Sequence, residues 1–241
     1  MKESTISRLV LWNIDLTLVD VAQVTRAAYA EAFEKVTGTP LVYLAATAGR
    51  TDSEIFFDFL ARNDVDDPDD SLLPRYIEAL GDAFASRRDL LVARGRMMPG
   101  ADAALDAVRA LPDTVQTVVT GTIMPNALAK LAAFGLDRRL DLSIGGFGSE
   151  YYPKASLIQF TRMRAAEAHG RPFPEAATVY VTDDARDVEA ALIGRARPVA
   201  VASGSSTESQ LRAAGARYVL QDLGEPMTLV AAIEAATADA G

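Results

Sequence analysis

Three short polar stretches follow directly on apolar runs, and their side chains suit one kind of chemistry. Leu9-Val10-Leu11-Trp12 leads into Asn13-Ile14-Asp15-Leu16-Thr17-Leu18. Val118-Val119 leads into Thr120-Gly121-Thr122, and Val179-Tyr180-Val181 leads into Thr182-Asp183-Asp184-Ala185-Arg186-Asp187. If the apolar runs are strands, alternation along an extended chain places Asn13 and Asp15 on the same side of one rim. Asp183 and Asp187, spaced i to i+4, meet on one face where a strand gives way to a helix. Oxygen ligands converging from separate strands are what Mg²⁺ requires. Acids in the first turn of a helix also cap it and complement its dipole, a competing use for Asp183 and Asp187.

Composition narrows the alternatives. The chain has 241 residues, 49% of them hydrophobic, enough for a sizeable core. Cysteine is absent, which excludes thiol catalysis, Cys-ligated zinc and disulfides and suits a reducing cytoplasm. The single histidine, His169, precedes Gly170 at the end of an Ala-rich stretch and reads as an exposed helix terminus rather than a catalytic base. A net charge of −9 offers no global attraction to nucleic acid or anionic lipid. No stretch approaches the ~20 apolar residues of a membrane span, and the polar start MKESTISR lacks a signal-peptide core.

The elements that must position these groups follow from periodicity. Strands are expected at Arg8 to Trp12, Thr114 to Val119, Leu142 to Gly145, Thr178 to Val181, Pro198 to Ala202 and Arg217 to Leu220, separated by amphipathic helical patterns. That alternation predicts a Rossmann-like, doubly wound, mainly parallel α/β sheet. In such sheets ligands bind beyond the carboxyl ends of the strands.

About a hundred residues separate the first two strands, and their apolar spacing is helical. This predicts an inserted helical cap over residues 20–96, with residues 1–19 and 97–241 forming the core. One helix would open at a capping box, Asp20 and Gln23, and end near Gly38. A second would run from Asp52 past Phe59 and Leu60 until Asp64 to Asp70, with Pro68, breaks it. A third would extend from Ser71 to Ala93. Phe56, Phe57 and Phe59 at helical spacing read as cap core. The tail from Thr237 to Gly241 is expected to fray.

Taken in order, these stretches resemble the haloacid dehalogenase superfamily. Asn13-Ile14-Asp15-Leu16-Thr17-Leu18 is similar to the first motif, usually D-x-D-x-T-L/V, Thr120-Gly121 to the second, Lys154 to the third-motif lysine, and Asp183 with Asp187 to the fourth-motif acids. An insertion between the first two motifs, with Gly49-Arg50-Thr51-Asp52 inside it, resembles the subclass of phosphoglycolate phosphatases and β-phosphoglucomutases. The resemblance implies a Mg²⁺-dependent phosphatase acting on a small phosphorylated molecule through an aspartyl-phosphate. It implies phosphate binding by Thr120, Gly121, Thr122 and Lys154, and acid-base work by Asp15. It also implies Mg²⁺ held by residue 13, Asp15, Asp183 and Asp187, with Asp187 a ligand or an orienter of its waters. The backbone N–H groups of Gly121 and Thr122, ahead of a helix through Ala127 and Leu131, suit a phosphate.

The chain departs from the pattern at its centre. Asn13 stands where the family places the attacking aspartate, and a carboxamide is a poor nucleophile toward phosphorus. Little or no phosphatase turnover is expected. A pseudoenzyme that keeps the phosphate cradle and a sugar phosphomutase are the alternatives. Leu16 and Thr182 also replace residues that are commonly glycine.

Overall fold

The computed structural model describes residues 7–66, 71–150 and 153–238. The proposed helix break at Pro68, the pair Tyr151-Tyr152, the first six residues and the last three lie outside them. Strand β1 (Arg8–Trp12) is followed by the short β2 (Val19–Asp20), then helices α1 (Ala22–Thr37), α2 (Asp52–Arg62), α3 (Leu72–Ala85) and α4 (Arg88–Arg94). The chain returns through β3 (Arg96–Met97) to α5 (Ala101–Arg109), β4 (Thr114–Val118), α6 (Met124–Ala133) and α7 (Lys154–His169). It finishes with β5 (Thr178–Thr182), α8 (Ala185–Ile193), β6 (Arg197–Val201), α9 (Glu208–Ala213), β7 (Tyr218–Leu220) and α10 (Pro226–Thr237).

The main sheet has the order β4-β1-β5-β6-β7 and is parallel throughout. Its β1 is buried because both faces are covered. Val10 and Trp12 point to a cluster with α5, α6 and α10, while Leu9 and Leu11 point to one with α7. Since β1 lies between β4 and β5, successive connections leave it in opposite directions, which opens a crevice at its carboxyl end. Trp12 pairs with Val118 on one side and Val181 on the other, so Asn13, Thr120 and Asp183 emerge at nearly one level.

A separate apolar cluster is built on α1 to α4 from Tyr29, Phe33, Phe56, Phe59, Tyr76 and Phe84, among others, and it reaches α6 through Ile123. The stacked Phe56 and Tyr76 rings, 4.1 Å apart, lock α2 against α3. The antiparallel β2-β3 pair ties the two ends of this segment together. No helix among the described residues is long and apolar enough to cross a membrane.

Several local expectations change. Leu142–Ile144 forms a 3₁₀ turn, and that segment meets the sheet only at its flanks, through Asp141 N–H on the Gln116 carbonyl and the bridge between Val119 and Gly146, because Gly145 and Gly146 have no side chains to pack. The expected helix from Ser71 to Ala93 is two helices, α3 ending at Ser86, whose hydroxyl bonds the Ala83 carbonyl. Asp20 belongs to β2 and donates no capping box; Val21 precedes α1 without a side-chain cap. A capping box does open α2, at Thr51 and Glu54. Phe57 is 38% exposed while Phe56 and Phe59 are buried. Thr237 is not frayed: it is buried and bonds the Ile233 carbonyl. His169 closes α7 on the surface, with Gly170 left-handed after it, as expected.

Candidate active site

The first-motif loop turns sharply after β1. Leu18 N–H bonds the Ile14 carbonyl at 2.9 Å and Leu16 N–H the Val19 carbonyl at 2.7 Å. Leu16 sits at the turn with φ 60°, a left-handed conformation that costs a branched L-residue on the order of 1 kcal/mol and suits glycine better. The turn keeps the Asn13 side chain, the Asp15 carbonyl and Thr17 directed at one another.

Asn13 is 6% exposed, and its amide nitrogen lies 3.0 Å from the Asp15 carbonyl, 3.3 Å from Thr17 Oγ1 and 3.2 Å from Asp183 Oδ1. Thr17 donates to the same Asp183 oxygen at 2.8 Å. The other Asp183 oxygen accepts from Ser205 N–H at 2.9 Å and its hydroxyl at 3.1 Å. Burial raises the Asp183 carboxyl above its usual value, and the bonds from Ser205 and Thr17 only partly offset it.

This arrangement decides whether the residues fit the Mg²⁺ that the resemblance implies. Among the described residues no three acidic or histidine side chains gather at a metal-like spacing. Asp183 is the one carboxylate at the point where Asn13, the Asp15 carbonyl and Asp183 converge, and the N–H groups of Asn13 fill that point. Turned over, the amide would set its oxygen beside the Asp15 carbonyl and Asp183 Oδ1, and a cation among the three would have Asp183 as its one charged ligand. As the side chains stand, they do not fit a divalent cation.

The second-motif loop forms the other wall. Thr120 is 1% exposed, and its hydroxyl accepts from Thr122 N–H at 3.1 Å, so that N–H is turned inward rather than toward a ligand. The Gly121 N–H donates to no acceptor among the described residues. Position 121 must be glycine because an added Cβ would come within 2.0 Å of the Arg50 carbonyl. The segment around Arg50 is thereby laid directly on the loop, and Asp52 N–H bonds the Gly121 carbonyl at 2.8 Å.

Lys154, at the first position of α7, is 5% exposed and lines the pocket. Its ammonium lies 2.8 and 2.9 Å from the two oxygens of Asp187. Asp187 is fully buried behind it, also held by Thr182 Oγ1 at 3.0 Å, and does not line the pocket. Asp187 therefore holds the lysine; it does not share a point with Asp183. Helix capping, the competing use for the fourth-motif acids, falls to Asp184, which accepts from Arg186 N–H at 2.9 Å.

Asp15 reaches the pocket with 40% of its side chain exposed. Behind it stands Lys130 of α6, 1% exposed, which donates to both Asp15 oxygens at 2.8 Å and to the Thr122 hydroxyl at 3.0 Å. The sequence reading missed this residue. Its one signal is a lysine on the apolar stripe of α6, at i+3 from Ala127 and beside Leu131, where a solvent-facing lysine would not sit. Asp52, from the amino end of α2, was noted only as part of a segment. It is 3% exposed and accepts from the Tyr29 hydroxyl at 2.5 Å and from Ile123 N–H at 2.8 Å. Burial raises its carboxyl, against the pull of nearby Lys130.

Asn13, Asp15, Thr120, Gly121, Thr122, Lys154 and Asp183 all line one cavity of about 150 Å³, roofed by Thr25, Tyr29 and the segment from Thr47 to Arg50. Pockets for drug-sized ligands run to ~300–1,000 Å³, so this one admits a small molecule.

No curated protein matches the chain. Among solved structures, a predicted phosphatase from Clostridium acetobutylicum is similar with a TM-score of 0.71 and 18% identity, covering 94% of this chain and 100% of that one. CbbY from Rhodobacter sphaeroides, solved with phosphate, has a TM-score of 0.65 and 19% identity over 91% of this chain and 96% of its own. An aspartate-to-asparagine variant of CbbY, solved with xylulose-(1,5)-bisphosphate, has a TM-score of 0.64 and 19% identity over the same shares, 91% and 96%. At such identities these likenesses speak for the fold. The sequence match is to the family model of haloacid dehalogenase-like hydrolases, over residues 10–192. That match spans most of the chain and runs from β1 into α8, through the cavity-lining loops after β1, β4 and β5, and the chain belongs to the haloacid dehalogenase-like hydrolase family.

Proposed function

We propose that this chain carries the phosphomonoester site of a small-molecule phosphatase in which Asn13 withholds the nucleophile. The observation that carries the reading is the gathering of Asp15, Thr120, Gly121 and Lys154 around one small cavity at the carboxyl ends of β1 and β4 and the start of α7. Phosphoryl transfer asks for a positioned nucleophile, neutralisation of the phosphoryl charge and a proton for the leaving oxygen. The Thr120 hydroxyl, the open Gly121 N–H and the Lys154 ammonium would hold the phosphoryl oxygens. Asp15, half in the cavity, would hand a proton to the leaving oxygen and later take one from water. The cap, assigned to residues 20–96 over a core of 1–19 and 97–241, would exclude bulk water and shape the substrate pocket.

Asn13 leaves this machinery without an attacking group. An aspartate at position 13 would bring a third oxygen beside the Asp15 carbonyl and Asp183, and oxygens so close require a cation among them. Mg²⁺ bound there would supply charge neutralisation at the phosphoryl group. The test is Asn13→Asp with Mg²⁺ and p-nitrophenyl phosphate. Metal-dependent release should rise by on the order of 10³-fold or more over the parent chain. No gain would sink the latent-phosphatase reading.

A second reading has its own support. The amide of Asn13 is satisfied by Asp15, Thr17 and Asp183, so the loop is at rest without a cation. That suits a non-catalytic protein that binds a phosphorylated ligand. It predicts phosphate binding by calorimetry in the parent and no activity in Asn13→Asp. A phosphomutase would use the same side chains, and product analysis of the Asn13→Asp enzyme with a sugar phosphate separates transfer from hydrolysis.

A further inference from the structure

Lys130 is the buried cation to which the roles above assign nothing. It comes from the end of the second turn of α6, is 1% exposed, and lies beneath Asp15 instead of in the cavity. Its ammonium donates to Asp15 Oδ1 and Oδ2, each at 2.8 Å, and to Thr122 Oγ1 at 3.0 Å. Thr122 Oγ1 in turn donates to Asp15 Oδ2 at 2.9 Å. Its remaining surroundings are the Phe84 ring of α3, with the ammonium 5.7 Å from the ring centroid, and the Asp52 carboxylate nearby.

We propose that Lys130 is the positioning residue for Asp15, fixing which face of that carboxylate meets the substrate. The triangle closed by Lys130, Thr122 and Asp15 removes the freedom of the Asp15 side chain to rotate toward solvent. A carboxylate oxygen has about two lone-pair directions. Oδ2 spends both, on Lys130 and Thr122, whereas Oδ1 spends one, on Lys130. Oδ1 is therefore the oxygen left to receive a proton or give one at the leaving oxygen of a bound ester. Placing such a group to within a fraction of an ångström is worth far more to catalysis than to binding. A lysine used only for fold stability has no reason to be aimed at the most exposed of the aspartates that line the cavity.

The proposal rests on the phosphatase reading for its chemistry and on geometry for its positioning claim, and two experiments keep these apart. The first compares crystal structures of the parent and Lys130→Met, with Lys130→Gln as a second variant that keeps donors at a similar reach. Asp15 should leave its cavity-facing rotamer in Lys130→Met and largely recover it in Lys130→Gln. An Asp15 that stays within the parent's rotamer in Lys130→Met overturns the proposal, and so does failure of both variants to fold, which would assign Lys130 to stability alone. The second adds Lys130→Met to the Asn13→Asp enzyme: kcat should fall about tenfold or more with KM within about twofold, since the phosphate grip is untouched. A rise in KM at unchanged kcat overturns it. Absence of all turnover in Asn13→Asp itself sinks the phosphatase reading, while the crystal comparison still decides the role of Lys130.

Discussion

Two buried lysines serve the same site, Lys154 lining the cavity and Lys130 standing behind Asp15, and each is paired with an aspartate. Lys154 and Asp187 are 5% and 0% exposed, so both charges are enclosed. Lys130 is 1% exposed, but its partner Asp15 keeps 40% of its side chain open. Burying a charge is tolerable only when it is paired, and the pairs solve this differently. In the first, a fully buried aspartate neutralises and holds a lysine that lines the cavity. In the second, the lysine is wholly sacrificed to enclosure so that a carboxylate can be held firmly at a wet surface. The enclosed pair holds a lysine at the edge of the cavity; the pair open on one side presents a carboxylate to it.

The sharpest way to break that contrast is to remove one partner at a time. Asp187→Ala should cost about 3–5 kcal/mol in urea unfolding, because Lys154, only 5% exposed, would be left as a nearly buried charge without its partner. Asp15→Ala should cost about 3 kcal/mol for the same reason at Lys130, reduced by the proximity of Asp52. Lys130→Met should cost only about 1 kcal/mol, because the exposed Asp15 can be hydrated once its partner has gone. An equal cost for Asp15→Ala and Lys130→Met would show that the two pairs are not different in kind.

The smallest effect concerns Asp52, a second carboxylate near Lys130. Burial raises the Asp52 carboxyl, with Lys130 and the bonds from Tyr29 and Ile123 pulling the other way. The unfolded chain then releases this proton at a lower pH than the folded one. The resulting penalty on the fold is absent below the unfolded value of about 4, grows as pH rises toward the folded value, and is full above it. Asp52→Asn can still accept from Ile123 N–H and donate to Tyr29. Its stability relative to the parent should rise with pH through that window and be level on either side. Urea titrations from pH 4 to pH 7 read the slope, and a flat difference would remove Asp52 from the electrostatics of the site.

Much of this was legible in the residues. The parallel sheet, the helical insertion and the strand ends that line the cavity follow from local periodicity. Asn13, Asp15, Thr120 and Asp183 come within reach because each stands one to three residues beyond a buried strand. Lys154 was legible as a site residue, although its immediate partner was not. What was not legible required knowledge of facing surfaces. Leu142 to Gly145 has the apolar content of a strand, yet it forms no ladder and meets the sheet only at the flanking Asp141 and Gly146. The helix expected from Ser71 to Ala93 keeps a helical pattern through the break at Ser86, so nothing local marks the bend.

Sequence alone determined that the chain would place an amide, where its family places a carboxylate, at the end of its first strand. That depends only on residue type and on a strand ending at Trp12. Tertiary structure decided what the amide does there, setting its nitrogen against the Asp15 carbonyl and Asp183 Oδ1. It also decided that Asp187 serves Lys154 and that Lys130 serves Asp15, contacts spanning 33 and 115 positions of the chain. Such partnerships are settled by which buried charge lies nearest another once the helices have packed, and no spacing along the sequence records that distance.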